Sequence, residues 1–140
     1  MRMPANKRTD AYLDVVEQAG LSALVREVEF VKPDDEKGAV VAKILDENPD
    51  IDGIFAGDDT MAAICLNVMK QRGLSAPDDI KVVGADGARR TMTFMPDLTT
   101  VRQDIDRIGE LAAQSIIALI NGDNPESNIK LPVELIEGKT

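Results

Sequence analysis

Two kinds of apolar pattern alternate along this chain, and their order constrains the fold more than any other feature. The first helix-period stretch runs from Thr9 to Ala19, started by Asn6 or Thr9, with Ala11, Tyr12, Val15, Val16 and Ala19 on one face and Gly20 as its stop. Leu24 to Val31 follows. There Val28 and Phe30 alternate with Glu27 and Glu29, a strand period whose glutamates imply an edge or half-exposed strand. Asp34 and Asp35 then precede a second helix carrying Val40, Val41, Ile44 and Leu45, and Asn48-Pro49 ends it. Ile51 to Gly57 is a short apolar strand that runs into Asp58-Asp59-Thr60 and a third helix, Met61 to Arg72, closed by Gly73. A turn at Ala76-Pro77-Asp78-Asp79 leads to a second buried-type strand, Ile80 to Ala85. Such alternation predicts an α/β fold: a parallel sheet flanked by helices and joined by right-handed crossovers.

Beyond Asp86 the pattern changes. An irregular stretch, Gly87 to Asp97, feeds the strand Leu98 to Val101, a helix from about Asp104 to Ile120, then Gly122 and a strand-like Ile129 to Ile136. That helix carries an apolar stripe of Ile105, Ile108, Leu111, Ala112, Ile116, Leu119 and Ile120. A parallel sheet ordinarily begins with a strand, yet this chain opens on a helix. The expectation is one domain whose front part lies outside these 140 residues. The stripe then lacks its own partner, so Ile105, Ile108 and Leu111 are expected to pack on a second chain or to rearrange.

Composition excludes several functions. Histidine is absent, which removes Ser-His-Asp and Cys-His nucleophile systems, imidazole acid–base chemistry and His-ligated metals. Net charge is −9 with no run of Lys or Arg longer than two, so the chain is not expected to grip nucleic acid by itself. No apolar run approaches the ~20 residues of a membrane helix. Met1-Arg2-Met3-Pro4 lacks the apolar core of a signal peptide, and a cytoplasmic location is the default. The single cysteine, Cys65, has no internal disulfide partner. No cofactor, metal ligand or catalytic residue is expected.

Four polar residues stand out. Asp58 and Asp86 each end a predicted parallel strand, and the ligand crevice of open α/β sheets lies outside those ends. Converging there, they would accept hydrogen bonds from a polyhydroxylated ligand or hold Mg²⁺. Either Asp58 or Asp59 also suits the cap of the third helix, Asp59 the better of the two, and Asp86 beside Gly87 suits a turn. Arg8 lies just before or in the first turn of its helix, where a cation opposes the dipole; a ligand-facing role competes with plain exposure. Gln103 follows the Leu98 to Val101 strand. Cys65, Met61 and Met69 read as core filler.

With these positions in hand, the chain resembles the effector-binding domain of LacI/GalR-type transcription regulators, which share the type I fold of periplasmic sugar-binding proteins. Four stretches carry the likeness: Arg8-Thr9-Asp10-Ala11-Tyr12, where the family's Gly is Ala11; Phe55 to Ala63, with Asp58 for a common Asn; Pro77 to Asp86, with Ala85 for an aromatic and Gly87 after it for a second Asp; and Pro96 to Gly109. The ending Leu131 to Ile136 fits as well, so the resemblance spans essentially the whole chain.

The resemblance implies that Arg8, Asp58, Asp86 and Gln103 face an effector cleft. It implies that residues 1–99 form the C-terminal subdomain, 98–103 a crossover strand, and 104–140 a helix and terminal strand that dock on an N-terminal subdomain largely outside this chain. Phe94, Met61 and Cys65 become candidates for a dimer surface. The function implied is sugar sensing and dimerisation within a repressor-type regulator, with DNA bound by a separate helix-turn-helix. The alternatives are a periplasmic sugar-binding protein of a transport system, disfavoured by Leu98 to Gln103 and the ending, and a Mg²⁺-dependent phosphoryl-transfer domain using Asp58, Asp59 and Asp86. That domain would need a strand-end lysine, and none follows a buried strand.

Overall fold

The first helix starts earlier than its apolar pattern implies. In the computed structural model, which describes residues 4–140, α1 spans Pro4–Gln18. Proline at a first helical position loses nothing, because an N–H there would have no intrahelical acceptor. The polar lead-in is therefore helical, and Arg8 lies in the second turn rather than before or in the first. There the helix dipole opposes its charge less, because the effect falls off within the first turn.

Leu24 to Val31 is not a strand. It runs as irregular chain into a turn at Phe30, with Phe30 and Val31 fully on the surface. A strand exists by exchanging hydrogen bonds with a neighbour, and among the described residues this segment has no ladder partner. Tyr12 holds its start, its hydroxyl oxygen accepting from the Leu24 N–H at 3.3 Å. Lys37 covers its end, the ammonium 5.6 Å from the Phe30 ring centroid.

The helix α2 (Asp34–Glu47) includes Asp34 and Asp35 rather than following them; with Glu36 they place negative charge at the positive end of its dipole. Next come β1 (Gly53–Phe55), α3 (Asp59–Gln71) and β2 (Lys81–Asp86). β1 is shorter than the predicted strand, although Lys81 N–H to Asp52 O and Ala56 N–H to Val83 O carry the ladder past both its ends. The stretch expected to be irregular contains α4 (Arg89–Phe94). It is followed by β3 (Thr99–Gln103), α5 (Ile105–Ile120) and β4 (Val133–Ile136). The four strands form one sheet in the order β1-β2-β3-β4. The first three are parallel, with Val83 opposite Thr99 and Asp86 opposite Arg102. β4 joins β3 antiparallel and pairs Arg102 with Glu134.

The core lies where α2 and α3 pack on β2 and its neighbours. Val41 and Leu45 from α2 meet Ala62, Ile64, Cys65, Val68 and Met69 from α3 over Ile80, Val82 and Leu98. Burial of this apolar set is what fixes the two helices on the sheet. Gly73, at φ +74°, ends α3 with a conformation that L side chains disfavour. No residue of α5 is buried, and Ile116, Ile117, Leu119 and Ile120 stand exposed along its second half. Among the described residues no helix is long and apolar enough to cross a membrane.

The last residues return to the sheet. The Thr140 hydroxyl donates to Val82 O at 2.7 Å and accepts from Thr99 N–H at 3.0 Å, so it fills the gap at the start of the β2–β3 ladder. Lys139 N–H reaches Asp97 O at 2.7 Å, and Gly138 N–H reaches the Thr99 hydroxyl at 3.1 Å.

Candidate functional site

Asp86 is the last residue of β2, and the carboxyl end of a central parallel strand is where an α/β sheet presents groups to a ligand. Its backbone is unusual, with φ at +108°, a region that non-glycine residues enter at a cost and that clusters at functional sites. Gly87 follows at φ +58° and lies against β3: a Cβ there would fall 2.6 Å from Arg102 Cβ and 2.7 Å from its Cα. Only glycine fits, and the turn after Asp86 is thereby drawn tightly over the β3 backbone.

Two long side chains converge on the same carboxylate oxygen. Gln103, at the end of β3, donates from Nε2 to Asp86 Oδ1 at 2.7 Å. An ionised carboxylate only accepts, which fixes the amide's orientation. Arg8, reaching in from α1, places Nη2 3.3 Å from that oxygen and donates from Nη1 to the carbonyl of Gly57. The Arg8 and Asp86 side chains keep 33% and 37% exposure, so both remain open to a ligand. Partial burial pushes the Asp86 carboxyl above the usual aspartate range; Arg8 and the Gln103 hydrogen bond pull it down, and the nearby charges of Asp59 and Asp58 push it up.

Asp58 lies next to this group through Gly57. Its Oδ1 accepts the Met61 N–H at 2.8 Å and caps α3. The preference for Asp59 as the cap is thus overturned. A cap residue needs extended backbone, which Asp58 has at φ −152°, ψ 174°, whereas Asp59 is already the first helical residue. Asp59 is instead buried, with Oδ1 accepting from the Thr100 hydroxyl at 2.6 Å and Oδ2 from the Gly87 N–H at 2.9 Å. Sequence reasoning missed this role. The available signal was Gly84, a glycine inside an otherwise apolar strand, which marks a close approach.

The arrangement offers a carboxylate, a guanidinium and an amide on one surface, a mix of donors and acceptors that suits vicinal hydroxyls. Among the described residues no group of three or more Asp, Glu or Cys side chains is placed to hold a metal ion. The residues considered for a dimer surface divide. Phe94 is 75% exposed and Met61 half-buried, but Cys65 packs inside the core, where burial pushes its thiol up to about 11. Cys65 cannot face another chain, because the side of α3 that carries it is turned to α2 and the sheet.

Comparison with known proteins gives a consistent result. Residues 2–140 match the periplasmic binding protein-like domain family. The ribose operon repressor of Halalkalibacterium halodurans is 31% identical over 98% of this chain and 41% of its own length. The sucrose operon repressor of Pediococcus pentosaceus is 33% identical over 98% of this chain and 42% of its own length. A solved LacI family transcriptional regulator from Arthrobacter sp. FB24, in complex with lactose, superposes with a TM-score of 0.77 and 27% identity over 93% of this chain and 49% of that one. The chain spans about two fifths of the length of the curated relatives it matches.

Proposed function

This chain belongs to the periplasmic binding protein-like family, in the branch that forms the effector domains of LacI-type transcriptional regulators, and from that premise we propose that it contributes one wall of a cleft for a sugar or related polyol. The observation that carries this reading is the convergence of Arg8 and Gln103 on Asp86 at the carboxyl ends of β2 and β3. Asp58 flanks the group as the cap of α3 and offers a further acceptor to the same ligand.

In this reading residues 1–99 are the C-terminal subdomain, 98–103 the crossover, and 104–140 the part that docks on a second subdomain carrying the facing wall. Ligand closes the two walls and shifts a homodimer between two states, moving separate DNA-binding heads in the cytoplasm. Phe94 and Met61 lie on the proposed dimer surface. The chain binds and performs no catalysis. Relatives named for ribose and sucrose operons, and a relative solved with lactose, support the ligand class.

The test is calorimetry of the full regulator carrying this chain against ribose, sucrose and related sugars. Asp86→Ala is expected to weaken the responding sugar by about 10- to 100-fold, the loss of hydrogen bonds to a charged group. Unchanged affinity would remove Asp86 from the cleft.

A further inference from the structure

The capping role left Asp59 without a part in the site, although its carboxylate is the most completely buried charge among the described residues. It is 4% exposed, and the Thr100 it contacts is 0% exposed. Burying a carboxylate is costly unless its oxygens are satisfied, and here each oxygen has one donor from a different element. Oδ1 takes the Thr100 hydroxyl of β3, and Oδ2 takes the Gly87 N–H of the turn after β2. Gly84 makes the room: a Cβ there would sit 2.6 Å from Asp59 Oδ1 and 3.3 Å from Leu98 Cδ2. Gly84 and Thr100 are also register partners in the sheet. One carboxylate on α3 therefore locks together a small residue on β2, a hydroxyl on β3 and the turn between β2 and α4.

The bond to Gly87 fixes the peptide that follows Asp86. The peptide before it is fixed by the β2–β3 ladder. With both neighbouring planes held, the Asp86 backbone is kept at φ +108°, and from there its carboxylate meets Gln103 and Arg8. We infer that Asp59 is the positioning residue of the cleft, which holds Asp86 in its strained conformation through Gly87 and Thr100 so that the Asp86 carboxylate faces the ligand. The inference deepens the effector-cleft reading and rests on it. It assigns Asp59 no contact with the ligand.

The test uses nitrogen-edited NMR of the whole chain, following the Gly87 amide and the Gln103 side-chain amide. Asp59→Ala removes both bonds. Thr100→Val removes one with little change of shape, and carries the test should Asp59→Ala fail to fold. Thr100→Ser restores the hydroxyl. In Asp59→Ala and Thr100→Val the Gln103 side-chain protons are expected to lose their hydrogen-bonded shift and move to the position of a free glutamine, together with a shift of Gly87. In Thr100→Ser both signals stay in place. A Gly87 signal that moves while Gln103 stays would overturn the inference, because Asp59 would then only staple a turn. The effector reading fails separately: if Asp86→Ala leaves sugar binding intact while Gln103 still follows Asp59, the cleft assignment is wrong and the coupling stands.

Discussion

Gln103 Nε2 and Asp86 Oδ1 meet at 2.7 Å although they lie 17 positions apart in sequence, each at or near the end of one of two adjacent parallel strands. The register of β2 and β3 sets Asp86 opposite Arg102, one residue before Gln103. A side chain of glutamine's length at the end of β3 is then within reach of a carboxylate whose backbone is bent back by its positive φ. The same oxygen also meets Arg8, whose charge pulls the Asp86 midpoint down.

Arg8→Ala is expected to raise the Asp86 midpoint further above the ordinary aspartate range, as read by carboxyl-carbon NMR titration. Burial already favours the neutral form, and Arg8 is the largest influence opposing it. Because the folded midpoint lies above the unfolded one, the protonated form contributes stability that is present below the unfolded midpoint and is lost as pH rises through the folded one. Removing Arg8 widens that window upward. An unchanged midpoint would show that the ion pair is not formed in solution.

Gly87→Ala is expected to destabilise the chain by about 1–3 kcal/mol or more, measured as a lower urea midpoint at unchanged slope. It places an L residue at φ +58° and sets a methyl against the Arg102 backbone. Gly53→Ala, where an added Cβ meets nothing within 4 Å, is the control and is expected to change far less. Equal effects at the two positions would contradict the close packing of the turn.

Cys65 is expected to resist thiol reagents at pH 8 in the folded chain and to react once denaturant is added. Burial holds its proton up to about 11, so the reactive thiolate is scarce. The raised value also predicts a pH effect of known sign. Stability associated with the protonated thiol is complete below about 9 and is lost as pH rises toward about 11. Cys65→Ala should remove that part of the alkaline destabilisation, and parallel stability curves for the two proteins would refute it.

The exposed face of α5 is expected to drive self-association of the isolated chain. Ile116, Leu119 and Ile120 are among the large apolar side chains it leaves in water, and contiguous patches of this kind mark surfaces that seek a partner. Light scattering should show a mass that grows with concentration, and Ile116→Glu with Ile120→Glu should return it to a monomer. A constant monomeric mass for the unaltered chain would count against the expectation.

How much was legible in the sequence varies with what each element depends on. The helices α3 and α5 were readable because their apolar period and stop residues are local. The strands β2 and β3 were readable because largely apolar runs such as Ile80 to Ala85 serve a buried parallel sheet whatever their neighbours. Leu24 to Val31 failed for the opposite reason: its alternation is real, but a strand also needs a neighbour, which no local pattern reports. Among the candidate residues, strand-end logic reaches Asp58 and Asp86, and only the resemblance adds Arg8 and Gln103 to them. Asp59 was misassigned because capping is a local rule, while its partners, Gly87 and Thr100, come from elements far along the chain.

The return of Thr140 to Thr99 has a topological consequence. After β3 the chain leaves the sheet as α5, rejoins it as β4 on the edge of β3, and ends with Thr140 fastened to Thr99, at the start of β3 and 41 residues earlier in sequence. Such an excursion behaves as a handle. Its fastenings, the β3–β4 ladder and the Thr140 hydroxyl, fall on β3 and on Val82 of β2, so α5 is tied to the sheet through the two strands that carry Asp86 and Gln103.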